Sequence, residues 1–193
     1  MPQNPYYLIP PGDVADSLQP RAGDNTASFT LHTNNQMQPP YEVEVGYVTL
    51  DHPVPSTEKI ATLVVPATFA DWVMRLEGEV RSRVLSDKAL YFPHDTTDAD
   101  VGIGFKSLLS PDGVSLCVSL PMDWQLIGGD GLGVEADIYR PTGELGVATL
   151  ALHRVMFGSG GSWGFVFELT SLRLVGNAGS VLIKKRLAMD IFG

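Results

Sequence analysis

An all-β, mainly antiparallel fold with one helix is what the sequence predicts, and two observations carry that prediction. Of the 193 residues, 20 are glycine, 14 are proline and only 18% are charged, a composition suited to short strands joined by many turns. Apolar and polar residues alternate along most of the chain, and helical spacing replaces the alternation in one segment. A parallel α/β sheet would need a helix between successive strands. The sequence therefore predicts an OB-like barrel or, alternatively, a jelly-roll β-sandwich.

Residues 1–25 are rich in proline, with Pro2, Pro5, Pro10, Pro11 and Pro20 among polar residues. Proline keeps the backbone extended and removes donors from strand ladders. We expect an N-terminal arm that is either disordered or laid along a neighbouring surface, and Tyr6 to Ile9 favour docking. Residues 26–193 are then a single β-rich domain.

The first strands and the helix follow the arm. ASFTLHT (27–33), YEVEVGYVTL (41–50) and IATLVV before Pro66 have strand character. From residue 68 to 86 the apolar residues recur at spacings of three and four, which predicts a helix. Thr68 is a candidate cap for this helix, and Trp72 on its apolar stripe is expected in the core.

After the helix, the segments 89–92 and 101–109 are expected as strands, and Ser-Pro-Asp-Gly at 110–113 as a turn into VSLCVSL. Two further strands, at about 132–139 and 145–157, are separated by Pro-Thr-Gly and predict a hairpin. The glycine-rich GSGGS and the strand-like run 164–175 come next.

No pattern predicts catalysis. Gly160 to Gly164 match G-x-S-x-G, but a strand pattern follows the serine where a nucleophile elbow needs a helix. His94, Asp95, Asp98 and Asp100 crowd one loop, for which a solvated acidic loop is favoured over a cation site. Zinc spacing and a P-loop are absent from the sequence. We therefore predict a protein that is not an enzyme and has no cofactor, metal or small-molecule substrate.

The location is also predicted from the sequence. Cys117 is the one cysteine, expected buried or half-buried and without an intramolecular disulfide. The N-terminus lacks a signal peptide pattern, and no window reaches eighteen apolar residues. These features predict a cytoplasmic protein without membrane contact, located in the host cytoplasm if it is viral.

Binding remains as the function class. Single-stranded nucleic acid is held by aromatic faces and by cations that follow the backbone. Tyr139 and Arg140 end a predicted strand, Phe105 and Lys106 repeat the combination, and Trp163 stands beside the glycines. The remaining candidate cations are Arg154, Arg173, Lys184, Lys185 and Arg186. Each has a structural alternative: Phe105 suits a core position, and the Lys-Lys-Arg triplet suits a solubilising end. The net charge of −9 demands a local basic stripe, because an acidic surface repels phosphate.

The order of elements resembles that of the OB-fold single-stranded DNA-binding proteins of tailed bacteriophages. LIGGDGLGVEADIYRP followed by ELGVATLALHRVMF is similar to the glycine-opened hairpin of that family, within a resemblance that covers residues 41–157. The resemblance implies that an aromatic residue at the turn and cations beside it contact DNA, and these would be Tyr139 and Arg140. It departs from the family at the C-terminus, which is RLAMDIFG where many members have an acidic tail.

We therefore predict a non-catalytic, sequence-independent single-stranded DNA-binding protein that forms homo-oligomers. The alternative is a viral or phage structural or coat subunit with a jelly-roll-like fold that self-assembles through its N-terminal arm into a virion. A carbohydrate-binding sandwich that uses Trp124 and Trp163 is a third, weaker alternative.

Overall fold

The computed structural model describes residues 8–21, 25–30, 32–33, 36–37, 41–50, 59–134, 145–158 and 161–175. The helices of this part are α1 (Pro11–Asp16), α2 (Ala67–Ser86) and α3 (Asp98–Gly104), with a 3-10 turn at Lys88–Leu90. The strands are β1 (Leu18–Pro20), β2 (Thr26–Phe29), β3 (His32–Thr33), β4 (Gln36–Met37), β5 (Tyr41–Leu50), β6 (Ile60–Val64), β7 (Ser115–Ser119), β8 (Gln125–Ile127), β9 (Gly133–Val134), β10 (Gly146–Phe157) and β11 (Trp163–Leu174).

Five of these strands close into a barrel. β5 pairs with β6, β6 with β7, and β10 with both β5 and β11, all antiparallel. The parallel pairing of β11 with β7 closes the ring. A closed, five-stranded ring with crossing connections is the architecture of an OB barrel, whereas a jelly roll packs two separate sheets. The prediction of an OB-like barrel is confirmed over the jelly-roll alternative.

The barrel interior is filled by the alternate residues of its longest strands. On β11 the side chains of Trp163, Phe165, Phe167 and Leu169 are buried, while the residues between them are only partly buried. A strand turns successive side chains to opposite faces, so one strand supplies a continuous inner row. Each fully buried large apolar side chain contributes about 1.5–3 kcal/mol to the free energy of folding.

The predicted helix at 68–86 is confirmed as α2, which begins one residue earlier. Its cap is Pro66, whose carbonyl accepts from the amides of Phe69 and Ala70, so the predicted capping role of Thr68 is wrong. Trp72 is in the core as predicted, 7% exposed. Its indole Nε1 donates to the Ile9 carbonyl at 2.9 Å.

The N-terminal segment departs from the expected extended arm. Pro11 occupies the first turn of α1, where its missing N–H costs nothing. Val14, Ala15 and Leu18 are buried, and α1 packs against α2. Within residues 8–21 the chain is therefore part of the core, and Leu18 pairs with Phe29 across β1 and β2.

The segment 101–109 is not a strand. A capping box starts α3 in front of it: the Thr97 hydroxyl accepts from the Asp100 amide, and the Asp100 carboxylate accepts from the Thr97 amide. The helix continues to Gly104, and the remainder makes only isolated bridges to β11 and β7. The segment 89–92, also expected as a strand, begins in the 3-10 turn.

The turn at 110–113 is confirmed. Gly113 has φ +74° and donates to the Ser110 carbonyl at 2.9 Å. The Asp112 carboxylate accepts from the Val114 and Ser115 amides and from the Ser115 hydroxyl, which holds the pKa of Asp112 below its ordinary value.

The predicted hairpin between 132–139 and 145–157 is wrong in its pairing. Both edges of β10 from Gly146 to Leu152 are occupied, one by β5 and the other by β11. β9 pairs with β8 instead. Residues 135–144, which include the predicted Pro-Thr-Gly turn, lie outside the described residues. None of the helices in the described ranges is long and apolar enough to span a bilayer.

Candidate nucleic-acid interface

A groove opens on the outside of the barrel where β7 and β11 diverge. These two strands pair only at Phe167–Val118 and Glu168–Ser119. The groove has a volume of about 360 Å³, and we refer to it as the barrel groove. Its lining residues are Lys106, Ser107, Leu108, Cys117, Met156, Gly158, Ser162, Trp163, Gly164, Phe165 and Val166.

The outward-facing residues of the barrel groove are largely apolar. Met156 is 43% exposed, and Cys117 and Val166 are half-buried. Burial raises the pKa of the Cys117 thiol, so the side chain stays neutral and acts as a small apolar surface. Of the two predicted positions for Cys117, buried or half-buried, the structure shows the half-buried one. The barrel groove therefore offers contact area for the apolar faces of a ligand.

Lys106 is the cation among the described lining residues of the barrel groove, and its backbone is fixed against β11. The Lys106 amide donates to the Trp163 carbonyl at 2.8 Å. A Cβ on Gly164 would lie 2.9 Å from the Lys106 carbonyl oxygen, so glycine at 164 permits this close approach. The Lys106 side chain itself is exposed.

The buried carboxylate of Glu77 anchors the residues that follow Lys106. Glu77 is 8% exposed. It accepts from the Ser107 hydroxyl at 3.0 Å and from the Leu108 amide at 2.7 Å. Charge-assisted hydrogen bonds of this kind are stronger than neutral ones. On the same helix, the Arg81 guanidinium lies 5.1 Å from the centre of the Phe105 ring. Glu77 and Arg81 of α2 therefore contact the residues on both sides of Lys106 in the chain and hold it at the rim of the groove.

The loop between β10 and β11 borders the other side of the barrel groove. The Gly158 amide donates to the Ser162 carbonyl at 2.7 Å, and Gly161 has φ +78°. Gly104, at the end of α3, lies so close to this loop that a Cβ there would collide with the Gly161 carbonyl oxygen. α3 thus fixes one side of the loop. Ser162 leads into β11, so the strand predicted after the G-x-S-x-G pattern is confirmed.

Trp163 is not the exposed platform that the sequence suggested. It is 2% exposed, and its indole Nε1 donates to the Val101 carbonyl at 2.7 Å. The residue starts the inward row of β11, so the period of two places its ring in the core. The Phe105 ring packs against the Trp163 indole, with the ring centroids 4.8 Å apart. Trp163 consequently shapes the floor of the barrel groove without presenting a free ring face.

A second cavity, of about 490 Å³, lies on the outside of β10. We refer to it as the arginine pocket, and it is lined by Gln19, Pro20, Arg21, Ser28, Thr30, His153, Arg154 and Glu168. In β10 the register shifts between Leu152 and Val155. This bulge leaves two consecutive residues, His153 and Arg154, outside the buried set.

The predicted site residues are distributed as follows. Lys106 and Trp163 line the barrel groove, and Arg154 lines the arginine pocket. Arg173 is exposed near the end of β11, opposite Val147, and lines neither cavity. The remaining candidates, Tyr139, Arg140, Lys184, Lys185 and Arg186, lie outside the described residues.

The sequence reasoning missed residues that line the cavities. Arg21 was assigned to the arm, and the apolar residues Met156 and Val166 to ordinary strand positions. For Met156 and Val166, the alternation along β10 and β11 places the side chains on the outside of the barrel, and this is the one sequence signal that could have indicated them. Tyr47 was missed as an exposed ring: it is 68% exposed and has φ 60°, at a bulge where β5 faces Gly146. No sequence pattern marks that bulge.

The acidic cluster at 94–100, here the acidic turn, has a structural role. The Asp100 carboxylate belongs to the capping box of α3, and hydrogen bonds from Thr97 hold its pKa below the ordinary value. Asp98 pairs with Lys88 at 2.6 Å. In the part of the chain that the structure describes, no group of three or more His, Cys, Asp or Glu residues is arranged to hold a metal ion.

Comparisons with known proteins find similarity in structure only. No family model matches the chain, and none of the curated proteins matches it. One similar solved structure is gp2.5, a single-stranded DNA-binding protein encoded by bacteriophage T7. The TM-score is 0.48 at 10% identity, over 70% of this chain and 86% of that one.

The single-stranded DNA-binding protein of bacteriophage Enc34 is also similar. It has a TM-score of 0.40 at 12% identity, over 81% of this chain and 88% of that one. Its C-terminally truncated form gives the same TM-score at 11% identity, over 83% and 96%. The predicted resemblance to phage single-stranded DNA-binding proteins is therefore confirmed, and it is a loose one.

Proposed function

We propose that the protein binds single-stranded DNA without sequence preference and without catalysis, on the outer surface of its barrel. The single observation that carries the proposal is the position of the barrel groove. OB barrels bind oligonucleotides on the face of their second and third strands and on the loops that follow the first and fourth strands. Here those strands are β6 and β7, and the barrel groove lies between β7 and the β10–β11 loop.

The chemistry of the barrel groove supports this proposal. The apolar surface of Met156, Cys117 and Val166 suits contact with base faces, and Lys106 at the rim suits a phosphate. Neither contact reads a base edge, so the binding would be independent of sequence. Tyr139, Arg140 and the cations at 184–186 are proposed as further contacts in this interface.

The acidic character of the whole chain sets the conditions for binding. A net charge of −9 repels a polyanion at long range. At physiological ionic strength this repulsion is screened beyond about 8 Å, so local cations decide the interaction. Each phosphate contact on a single strand contributes a slope of about −0.7 to the dependence of log affinity on log salt.

Fluorescence anisotropy with labelled oligo-dT over a salt series tests the proposal. We expect wild-type binding that weakens as salt rises, and a slope shallower by about 0.7 in Lys106→Ala. Arg75→Ala is the matched control, since it removes one exposed cation on α2 that lines neither cavity. Absence of wild-type binding at low salt would overturn the proposal, as would equal effects of the two variants.

The aromatic contact has its own test. Tyr139→Ala is expected to lose about 1–3 kcal/mol of binding free energy, the contribution of one stacked base. Its salt slope is expected to stay that of the wild type, because no charge is removed. An unchanged affinity would remove Tyr139 from the interface and leave the barrel groove as the proposed site.

A further inference from the structure

The arginine pocket contains two cations without internal partners. Within the described ranges, neither Arg21 nor Arg154 has a carboxylate within 4.0 Å, whereas the other ion pairs engage Arg83, Lys88 and His153. Both side chains are exposed at the cavity. An arginine carries five N–H donors in a fork that matches the oxygens of a phosphate. In a chain of net charge −9, such a pair is available to an external anion.

Glu168, the one acidic residue among the described lining residues of the cavity, already has a partner. The His153 Nε2 atom lies 3.0 Å from a Glu168 carboxylate oxygen, so the imidazole N–H donates to that carboxylate. Of the residues that the structure describes, the titratable groups that line the cavity are Arg21, Arg154, His153 and Glu168. With histidine counted as uncharged, these four residues carry a net charge of one positive unit. Further donors come from Gln19 and the Ser28 hydroxyl.

Both arginines are carried by backbone with fixed geometry. The Arg21 amide donates to the Thr26 carbonyl at 3.0 Å, at the end of the β1–β2 pair. Arg154 pairs with Ser28 across β10 and β2. The described lining residues of the cavity therefore come from four paired strands, β1, β2, β10 and β11, and the segments next to them, so the backbone positions of both arginines are set by strand pairing.

The arginine pocket adjoins the barrel groove. Arg154 and Met156 are two residues apart on β10, and Glu168 and Val166 are two residues apart on β11. Residues two apart on a strand share a face and are separated by about 7 Å. The cations Lys106, Arg154 and Arg21 therefore follow one outer surface of the barrel.

We infer that the arginine pocket is a phosphate-binding site. The phosphate comes either from the backbone of a polynucleotide that continues from the barrel groove or from a free phosphate or nucleotide. The polynucleotide form rests on the proposed function, and the free-phosphate form does not.

Two probes distinguish these sources: labelled oligo-dT by anisotropy over a salt series, and inorganic phosphate by calorimetry at low ionic strength. For a polynucleotide phosphate, Arg154→Ala and Arg21→Ala each make the oligo-dT salt slope shallower by about 0.7, while Arg75→Ala does not. For a free phosphate, the same two variants lose the calorimetric signal of inorganic phosphate.

Glu168→Gln is expected to raise the affinity for phosphate, whereas the two arginine variants lower it. It removes the negative charge of Glu168, so affinity for the bound probe is expected to rise about threefold, which corresponds to one unit charge about 6 Å from the phosphate in a water-like dielectric. A purely structural role of the His153–Glu168 pair would lower the affinity or leave it unchanged. Circular dichroism and thermal melting confirm that each variant is folded.

Each outcome decides between the proposals. If wild-type protein binds oligo-dT and the arginine variants alter neither probe, the phosphate site is overturned and the proposed function stands. If inorganic phosphate binds and depends on the arginines while oligo-dT does not bind, the site stands and the proposed function fails. If neither probe binds the wild type, both fail.

Discussion

The acidic turn and the arginine pocket are both clusters of charge, but they differ in what the charges contact. In the acidic turn, Asp100 caps α3 and Asp98 pairs with Lys88. In the arginine pocket, Arg21 and Arg154 have no carboxylate partner within the described ranges. Charges with internal partners stabilise the fold, and charges without them are available to a ligand. Loss of a residue from the first kind should therefore affect stability, and loss from the second kind should affect binding.

The largest effect on stability is expected from Glu77→Ala, because Glu77 is a buried charge whose partners all lie within the protein. The buried Leu108 amide would lose its acceptor, and an unpaired buried donor costs about 1–3 kcal/mol. The Ser107 hydroxyl would lose Glu77 and keep the Leu109 carbonyl as an acceptor. We expect a loss of about 3 kcal/mol in the free energy of unfolding, measured by urea denaturation. Glu79→Ala, an exposed carboxylate two residues along α2, is the control and should change it by less than about 0.5 kcal/mol. Equal losses would show that burial of the charge is not what matters.

Two glycines of α3 should change stability in opposite directions. Gly104→Ala places a methyl group against the Gly161 carbonyl oxygen, and overpacking of this kind costs about 1–3 kcal/mol. Gly102 has open space around its Cβ position, so Gly102→Ala should stabilise α3 by about 0.5–1 kcal/mol. Thermal melting of both variants measures the difference. A Gly104→Ala protein with the same Tm as the wild type would show that α3 does not position the β10–β11 loop.

Thr97→Ala tests the capping box and should lower the free energy of unfolding by about 1 kcal/mol, measured by urea denaturation.

The carboxyl of Asp100, the partner of Thr97 in the capping box, adds a dependence of stability on pH. Because the pKa of Asp100 is lowered from 3.8 in the folded protein, its contribution is fully present above 3.8 and is lost as pH falls through the lowered value. The difference in Tm between wild type and Asp100→Asn should therefore shrink below about pH 4. A difference that is constant from pH 7 to pH 2 would contradict this role.

The smallest effect on stability is expected in the arginine pocket. Arg154→Ala removes an exposed side chain without an ion pair, so the free energy of unfolding should change by less than about 0.5 kcal/mol. Urea denaturation at low and high salt measures it. A loss of 1 kcal/mol or more would place Arg154 with the structural charges and erase the distinction between the two regions.

Local patterns predicted local structure well. The recurrence of Phe69, Trp72, Leu76 and Val80 predicted α2, because helical periodicity is a property of one contiguous segment. The alternation of Phe165 and Phe167 predicted β11. The segment at 101–109 failed because Thr97 and Asp100, which start α3, stand before the apolar residues that suggested a strand.

The site was harder to predict because its residues come together from distant parts of the chain. The barrel groove combines Lys106, Cys117 and Val166, which become neighbours through the pairing of β7 with β11 and the hydrogen bond from the Lys106 amide to Trp163. Trp163 could have been assigned to the core from its spacing to Phe165, since residues two apart on a strand share a face. Arg21 could not have been found, because nothing in a proline-rich segment indicates that it returns to the barrel.

The parallel contact that closes the barrel has a consequence for how the protein is made. During synthesis, β5, β6 and β7 emerge before β11, the strand that later covers one edge each of β7 and β10. Until then those edges present unpaired peptide groups, which invite pairing with other chains. A chain that stops before Trp163 is therefore expected to aggregate, and supplying residues 163–175 as a separate peptide should restore its solubility.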